Sequence, residues 1–233
     1  MSGYDKRAVL RQNPLFAGLS ADVIDRLASY AHTKSFKAGS TIFAKGDPGT
    51  GLFAVCSGTV KISNHSHDGK DAVFNLISPG EIFGEIALLD GRPRTAEALA
   101  LSDCELMLID RRDFVPLVKS QPDIALKLID VLCARLRHTS KQVEDVLFLD
   151  LPGRLAKTLL RLAQPSKSSA QESKVTITQK EIGQIIGMSR ESTNKQLREW
   201  EQHRWVKLER GGVVVLAAQK LQDIAASDPF DSE

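Results

Sequence analysis

Between Pro122 and Pro152 the chain carries neither glycine nor proline, whereas nine of its sixteen glycines lie between Gly39 and Gly91. That switch in backbone punctuation limits the architecture more than any other feature. In the earlier region the glycines separate short apolar runs at 41–44, 52–55, 60–63 and 72–77. Strand-length runs bounded by turn residues at close intervals predict an antiparallel sandwich or barrel, and Asp68-Gly69 between two such runs predicts a tight hairpin. Ahead of them, apolar residues at 9–10, 15–16 and 23–27 read as a short helical start. After Pro122, by contrast, Ile124, Leu128, Val131, Leu132, Leu136, Val143, Val146 and Leu147 recur at three and four residues, the period of a helix. A helix of about 26 residues is nearly 40 Å long. That exceeds what one small domain covers, so the expectation is a coiled-coil-like seam between two copies of the chain, a homodimer.

The long helix should end at 148–152, Phe-Leu-Asp-Leu-Pro, where Asp150 can cap the next helix and Pro152 fits its first turn. A domain boundary and hinge are expected there. Residues 164–173 form a polar loop by composition. Thr178-Gln179-Lys180-Glu181 is a capping box opening a helix with Ile182, Ile185 and Ile186. Gly187 permits the left-handed turn that stops that helix, and Ser189 can cap a second one running to about Trp200. Gly211-Gly212 between two β-prone runs adds a hairpin. Helix, tight turn, helix and hairpin make a winged helix-turn-helix. The expected divisions are therefore 1–121 for the β domain, 122–149 for the long helix, 150–223 for the winged domain and 224–233 for an acidic tail, with disorder expected from Asp223 onward.

Charge supports that division. Residues 1–149 carry 18 basic and 18 acidic side chains, 150–220 carry 13 and 7, and 221–233 carry none and 4. Only the middle block, at net +6, suits a polyanion. A helix-turn-helix puts the start of its second helix in the major groove. There Arg190 and Lys195 can donate to guanine and Glu191 can accept from cytosine, while Thr178, Ser189, Arg198 and Arg210 are placed to meet phosphates.

A second constellation, Gly84-Glu85-Ile86-Ala87-Leu88-Leu89 followed by Arg92-Pro93-Arg94-Thr95-Ala96, combines exposed backbone donors with a guanidinium that can grip two anion oxygens. It describes an anion pocket, in which Glu85 is better suited to a hydroxyl or a distant arginine than to a phosphate.

Gly84-Glu85-Ile86-Ala87-Leu88 with Arg94-Thr95-Ala96 resembles the phosphate-binding cassette of cyclic-nucleotide-binding domains. The order of cassette, long helix, hinge and winged domain, with residues 181–191 especially close, resembles the cyclic AMP receptor protein branch of the Crp/Fnr regulators over residues 10 to 220 or so. The resemblance implies an α+β chain: an antiparallel β jelly-roll cyclic-nucleotide-binding domain, a long dimerisation helix and a C-terminal winged helix-turn-helix. It implies that Arg94, Thr95 and backbone N–H groups of Gly84, Glu85, Ile86 and Ala87 bind the cyclic phosphate. Glu85 would hold the ribose 2′-hydroxyl, Phe74 would line the pocket, Arg135 would reach Glu85, and Thr139 with Ser140 would meet the purine, one of them from the partner subunit. The implied ligand is cyclic AMP, with cyclic GMP a second because a threonine after the cassette arginine resembles cyclic-GMP-accepting domains. The implied partners are palindromic double-stranded DNA with TGTGA-like half-sites and RNA polymerase.

Two positions depart from that pattern. Residue 195 is Lys where the family has a guanine-reading Arg, which replaces a bidentate contact by a point charge. The 164–173 loop shares only its location with the polymerase-contacting loop.

Other classes fit less well. The longest apolar run, 213–218, is far short of the ~20 residues of a membrane span, and no secretory segment opens the chain. A cytoplasmic protein is expected. Cys56, Cys104 and Cys133 lack metal or redox spacing and read as partly buried hydrophobes, and His65 and His67 as solvated loop residues. The five histidines, at 32, 65, 67, 138 and 203, form no His/Asp metal site for a hydrolase, so no catalytic residue and no metal is assigned. The alternatives are a ligand-independent or differently liganded DNA regulator on the same fold, and a nucleotide-sensing subunit that controls a protein partner.

Overall fold

A computed structural model describes residues 5–65, 71–165 and 173–226. They divide into two compact units, one of Met1–His65 with Val73–Leu136 and one of Ser66–Ala72 with Arg137–Glu233.

The first unit opens with helices α1 (Lys6–Gln12) and α2 (Ala21–Tyr30), followed by strands β1 (His32–Phe36), β2 (Thr41–Phe43), β3 (Gly51–Ser57), β4 (Val60–His65), β5 (Asp71–Ile77) and β6 (Ile82–Phe83). Helix α3 (Glu85–Asp90), strands β7 (Glu97–Ala100) and β8 (Cys104–Asp110), helix α4 (Arg111–Ser120) and the first half of α5 (Pro122–Phe148) complete it. The strands form two antiparallel sheets, ordered β1-β8-β3-β6 and β2-β7-β4-β5. The 68–69 turn lies outside the described residues, but β4 and β5 are sheet neighbours as expected.

Strand β3 is buried on both faces, which is why it reads as a continuous apolar run. Phe53 and Val55 join Val60, Phe83, Ala98 and Leu106 in one cluster, while Leu52 and Ala54 join Leu10, Ile24, Phe114, Ile124 and Leu128 from the helices, and Phe16 from the turn between α1 and α2, in another. Alternate residues of a strand point to opposite faces, so one strand feeds both clusters. Each fully buried Val, Leu, Ile or Phe among them contributes about 1.5–3 kcal/mol.

Helix α5 has two faces. Ile124 and Leu128 are buried, but Leu126, Ile129, Leu136, Val143 and Leu147 are all more than half exposed. Their spacing of three, four and seven places them on one stripe, at the period of a helix-to-helix seam. Cys133 lies on the same stripe and is exposed. The expectation of a partly buried hydrophobe fails there, because the helix turns that residue away from its own core.

The second unit holds the end of α5, then α6 (Leu151–Leu162), β9 (Gln164–Pro165), β10 (Ser173–Val175), α7 (Gln179–Ile186), α8 (Arg190–Gln202), β11 (Val206–Glu209), β12 (Gly212–Val215) and α9 (Ala218–Ala226). Its antiparallel sheet runs β11-β12-β10-β9. Asp150 caps α6 by accepting from the Gly153 N–H at 2.9 Å. Thr178 and Glu181 form the reciprocal capping box of α7, Gly187 ends it at φ 70°, and Ser189 caps α8. A Cβ on Gly183 would stand 3.0 Å from Thr193 Oγ1 and from the Met188 carbonyl oxygen, so a larger residue would crowd this approach of α7 and α8. Leu155, Leu159, Ile182, Leu197, Trp200, Val213 and Leu221 make the core. Disorder from Asp223 onward is corrected for 223–226: these residues continue α9, whose Leu221 is fully buried. Residues 227–233 and 166–172 lie outside the described set. No helix among the described residues is long and apolar enough to cross a membrane.

Candidate functional site

Gly84 sits at φ 82°, ψ 10°, immediately before α3, and turns the chain from β6 into that helix. The turn leaves Glu85 with 1% of its surface exposed at the wall of a cavity. Arg135 of α5 forms an ion pair with Oε1 of Glu85 and donates to the Ile82 carbonyl. The ion pair is close but not aligned as a hydrogen bond, so neither Glu85 oxygen accepts one.

Arg94 enters the same cavity from the segment before β7 and is 5% exposed. Its backbone is held by Gly46 N–H to its carbonyl, 2.9 Å, and by its own N–H to the Asp47 carbonyl, 2.8 Å. Its Nη1 donates to the Gly84 carbonyl and its Nη2 to the Gly51 carbonyl, both at 2.8 Å. Its Nε is buried and has no hydrogen-bond partner. Burial lowers the guanidinium pKa, opposed by the charges of Glu85 and Asp47. Phe43, Ile62, Phe83, Thr95 and Ala96 complete the wall with Gly84, Ile86 and Ala87.

Of the ten residues expected at a ligand, this cavity brings together Gly84, Glu85, Ile86, Ala87, Arg94, Thr95 and Arg135. Phe74 is not among its lining residues. It is 39% exposed while its neighbour Val73 is buried, as strand alternation requires. Thr139 and Ser140 are exposed on α5. Sequence reasoning missed Phe43 and Ile62, because an apolar strand residue carries no local sign of facing a cavity instead of a core.

Chemically, the cavity contains a buried carboxylate with free acceptor positions and a buried guanidinium with a free donor. A buried polar group without a partner costs free energy, so both favour a ligand that supplies hydroxyl donors and anionic oxygens. A sugar carrying a phosphate fits that donor set. Among the described residues no cluster of three or more His, Cys, Asp or Glu side chains could hold a metal.

The other expected site lies on α8. Arg190, Glu191, Lys195 and Arg198 are all exposed, and Arg210 is exposed at the turn between β11 and β12. Thr178 and Ser189 serve their own helices: the hydroxyl of Thr178 accepts from Glu181 N–H, and that of Ser189 accepts from Ser192 N–H.

Residues 33–121 match the cyclic nucleotide-binding domain family, and residues 153–224 match the Crp-like helix-turn-helix domain family. A CRP-like cAMP-activated global transcriptional regulator of Mycobacterium tuberculosis is 34% identical over 218 residues, covering 91% of this chain and 96% of the relative. The cyclic AMP receptor protein of Thermus thermophilus is 32% identical, covering 93% and 98%. The crystal structure of the catabolite activator protein from Thermus thermophilus superposes with a TM-score of 0.53 at 32% identity, covering 91% of this chain and 98% of that one. The global regulator CLP of Xanthomonas campestris shares the fold at a TM-score of 0.73 and 24% identity, covering 84% of this chain and 99% of that one. With the buried Glu85 and Arg94 in one cavity and a capped helix-turn-helix beyond α5, these matches make the chain a member of the Crp family of cyclic-nucleotide-binding transcription regulators.

Proposed function

We propose that this chain is a cytoplasmic homodimeric regulator that takes up a 3′,5′-cyclic nucleotide, cyclic AMP foremost, and then binds palindromic DNA with TGTGA-like half-sites. The observation that carries the ligand half is the meeting, in one cavity, of Arg94, whose Nε has no hydrogen-bond partner, and Glu85, which is ion-paired to Arg135 but accepts no hydrogen bond. Arg94 and Thr95 would grip the cyclic phosphate with backbone donors of residues 84–87, and Glu85 would accept from the ribose hydroxyl. Thr139 and Ser140 on the exposed face of α5 would meet the purine, one from each subunit. The Thr95 hydroxyl keeps cyclic GMP as a second ligand, since it can also accept from the guanine amino group.

The exposed charges of α8 support direct reading of bases in the major groove. Arg190 and Lys195 would donate to guanine, Glu191 would accept from cytosine, and Arg198 with Arg210 would hold phosphates. Two recognition helices about 34 Å apart on a dimer would enter successive major grooves. RNA polymerase would be the protein partner, and the 164–173 segment the family's location for that contact. Nucleotide can act only through unequal affinity for two arrangements of the dimer.

Fluorescence anisotropy of a labelled palindromic TGTGA duplex, titrated at one salt concentration without nucleotide and with cyclic AMP or cyclic GMP, tests this. Tight binding is expected only with nucleotide. Equal binding in all three titrations would overturn nucleotide control of DNA affinity, and nucleotide binding without any DNA binding would favour a subunit that controls a protein partner.

A further inference from the structure

The guanidinium of Arg94 lies over the ring of Phe43, with Cζ 4.3 Å from the ring centroid, and 5.9 Å from that of Phe53. We infer that Phe43 is a positioning residue for ligand binding: its ring fixes the plane in which Arg94 meets an anion. The inference rests on the cyclic-nucleotide reading and adds a residue to it.

Three restraints act on different freedoms of the Arg94 head. The carbonyls of Gly51 and Gly84 hold Nη2 and Nη1 at 2.8 Å each and fix rotation within the guanidinium plane. A ring on one face fixes the tilt of that plane, and its negative quadrupole partly replaces the hydration that a cation loses on burial. Gly46 and Asp47, which pair with the Arg94 backbone, lie in the connection that follows Phe43, so the segment that carries the ring also holds the arginine's backbone.

Phe43 is itself immobilised. Its ring is 5.9 Å from both Phe53 and Phe83, and those two stack on each other at 5.1 Å and 12°. Phe53 and Phe83 are 6% and 1% exposed. The aromatic trio is therefore a rigid base, and the arginine stands ordered before any ligand arrives. An ordered gripping group loses less freedom on binding, which strengthens affinity without a new contact to the ligand. The unpartnered Nε, with the second N–H of each Nη, is left to donate to an incoming oxygen.

Calorimetric titration of the full chain with cyclic AMP tests the inference. Phe43→Leu keeps an apolar side chain but removes the quadrupole, and should weaken cyclic AMP binding about tenfold, whereas Phe43→Tyr should bind as the wild type does. Replacing Phe43 by mono-, di- and trifluorophenylalanine keeps the ring's shape and drains its face of charge. Affinity should then fall stepwise, which a purely space-filling role would not produce. The fluorinated series decides the matter if Phe43→Leu does not fold by circular dichroism. Wild-type affinity in Phe43→Leu, or a flat fluorination series, would overturn the inference alone. A wild-type chain that binds neither cyclic AMP nor cyclic GMP would overturn the cyclic-nucleotide reading and this inference with it.

Discussion

Arg135, in the middle of α5, pairs with the buried carboxylate of Glu85 at the first turn of α3. Glu85 is thereby shared between the cavity and the long helix. A ligand donating to its oxygens would change the field that holds Arg135, and so act on α5 through Glu85. Population shift requires such a difference in interaction between two arrangements.

Breaking that pair from one side leaves a buried charge uncompensated. Arg135→Leu is expected to lower stability by about 3 kcal/mol, and the double variant Arg135→Leu/Glu85→Leu to recover most of it. Urea unfolding of the wild type, both single variants and the double variant measures the coupling. Additive losses would mean that the two residues act independently.

Gly84→Ala is expected to cost about 1–2 kcal/mol from the left-handed backbone alone. The new Cβ would also lie 2.6 Å from Arg94 Nη1, so the guanidinium must move. Cyclic AMP binding should fall more than tenfold while the fold persists, read by calorimetry and circular dichroism.

Leu136→Arg places a charge in the exposed stripe of α5 between Ile129 and Val143. Sedimentation equilibrium should show a dimer for the wild type and a monomer for the variant, with the secondary structure unchanged. A variant that stays dimeric would move the interface elsewhere.

On α8, Glu191→Ala should relax preference at one base pair, by about 1–3 kcal/mol of lost discrimination. Arg198→Ala should instead weaken binding to all sequences alike and reduce the salt dependence by about one phosphate contact. Binding to a set of single-base variants at several salt concentrations separates the two.

His138, on α5, has a buried Nε2 without a hydrogen-bond partner. Burial, then the charge of Arg161, push its pKa below the ordinary 6.5, with Asp145 acting in the opposite direction. The folded chain thus favours the neutral ring, and the unfolded chain takes up a proton more readily. Its contribution is full above pH 6.5 and is lost as the pH falls through the lower folded value. The thermal midpoint of the second unit, followed by the fluorescence of Trp200 and Trp205, should drop below that pH. His138→Gln should flatten the drop.

What could be read from the residue order is what neighbouring residues settle among themselves. The capping box of Thr178 and Glu181, the Asp150 and Ser189 caps, the left-handed Gly187 and the length of α5 all depend on hydrogen bonds or dihedral limits within a few residues. The cassette residues were legible for a related reason, since Gly84 through Thr95 lie within a single short segment. The surroundings of Arg94 were not. Gly51 is 43 residues away, and Phe43 is an apolar strand residue like its neighbours until the sheets bring it under a guanidinium. Phe74 illustrates the converse, a residue assigned to the cavity that strand alternation turns outward. The helical continuation through 223–226 belongs to the same category, because it follows the burial of Leu221 in the core of the second unit. Local geometry is encoded residue by residue, but which face a side chain presents, and to what, is decided only when distant segments compete to be buried.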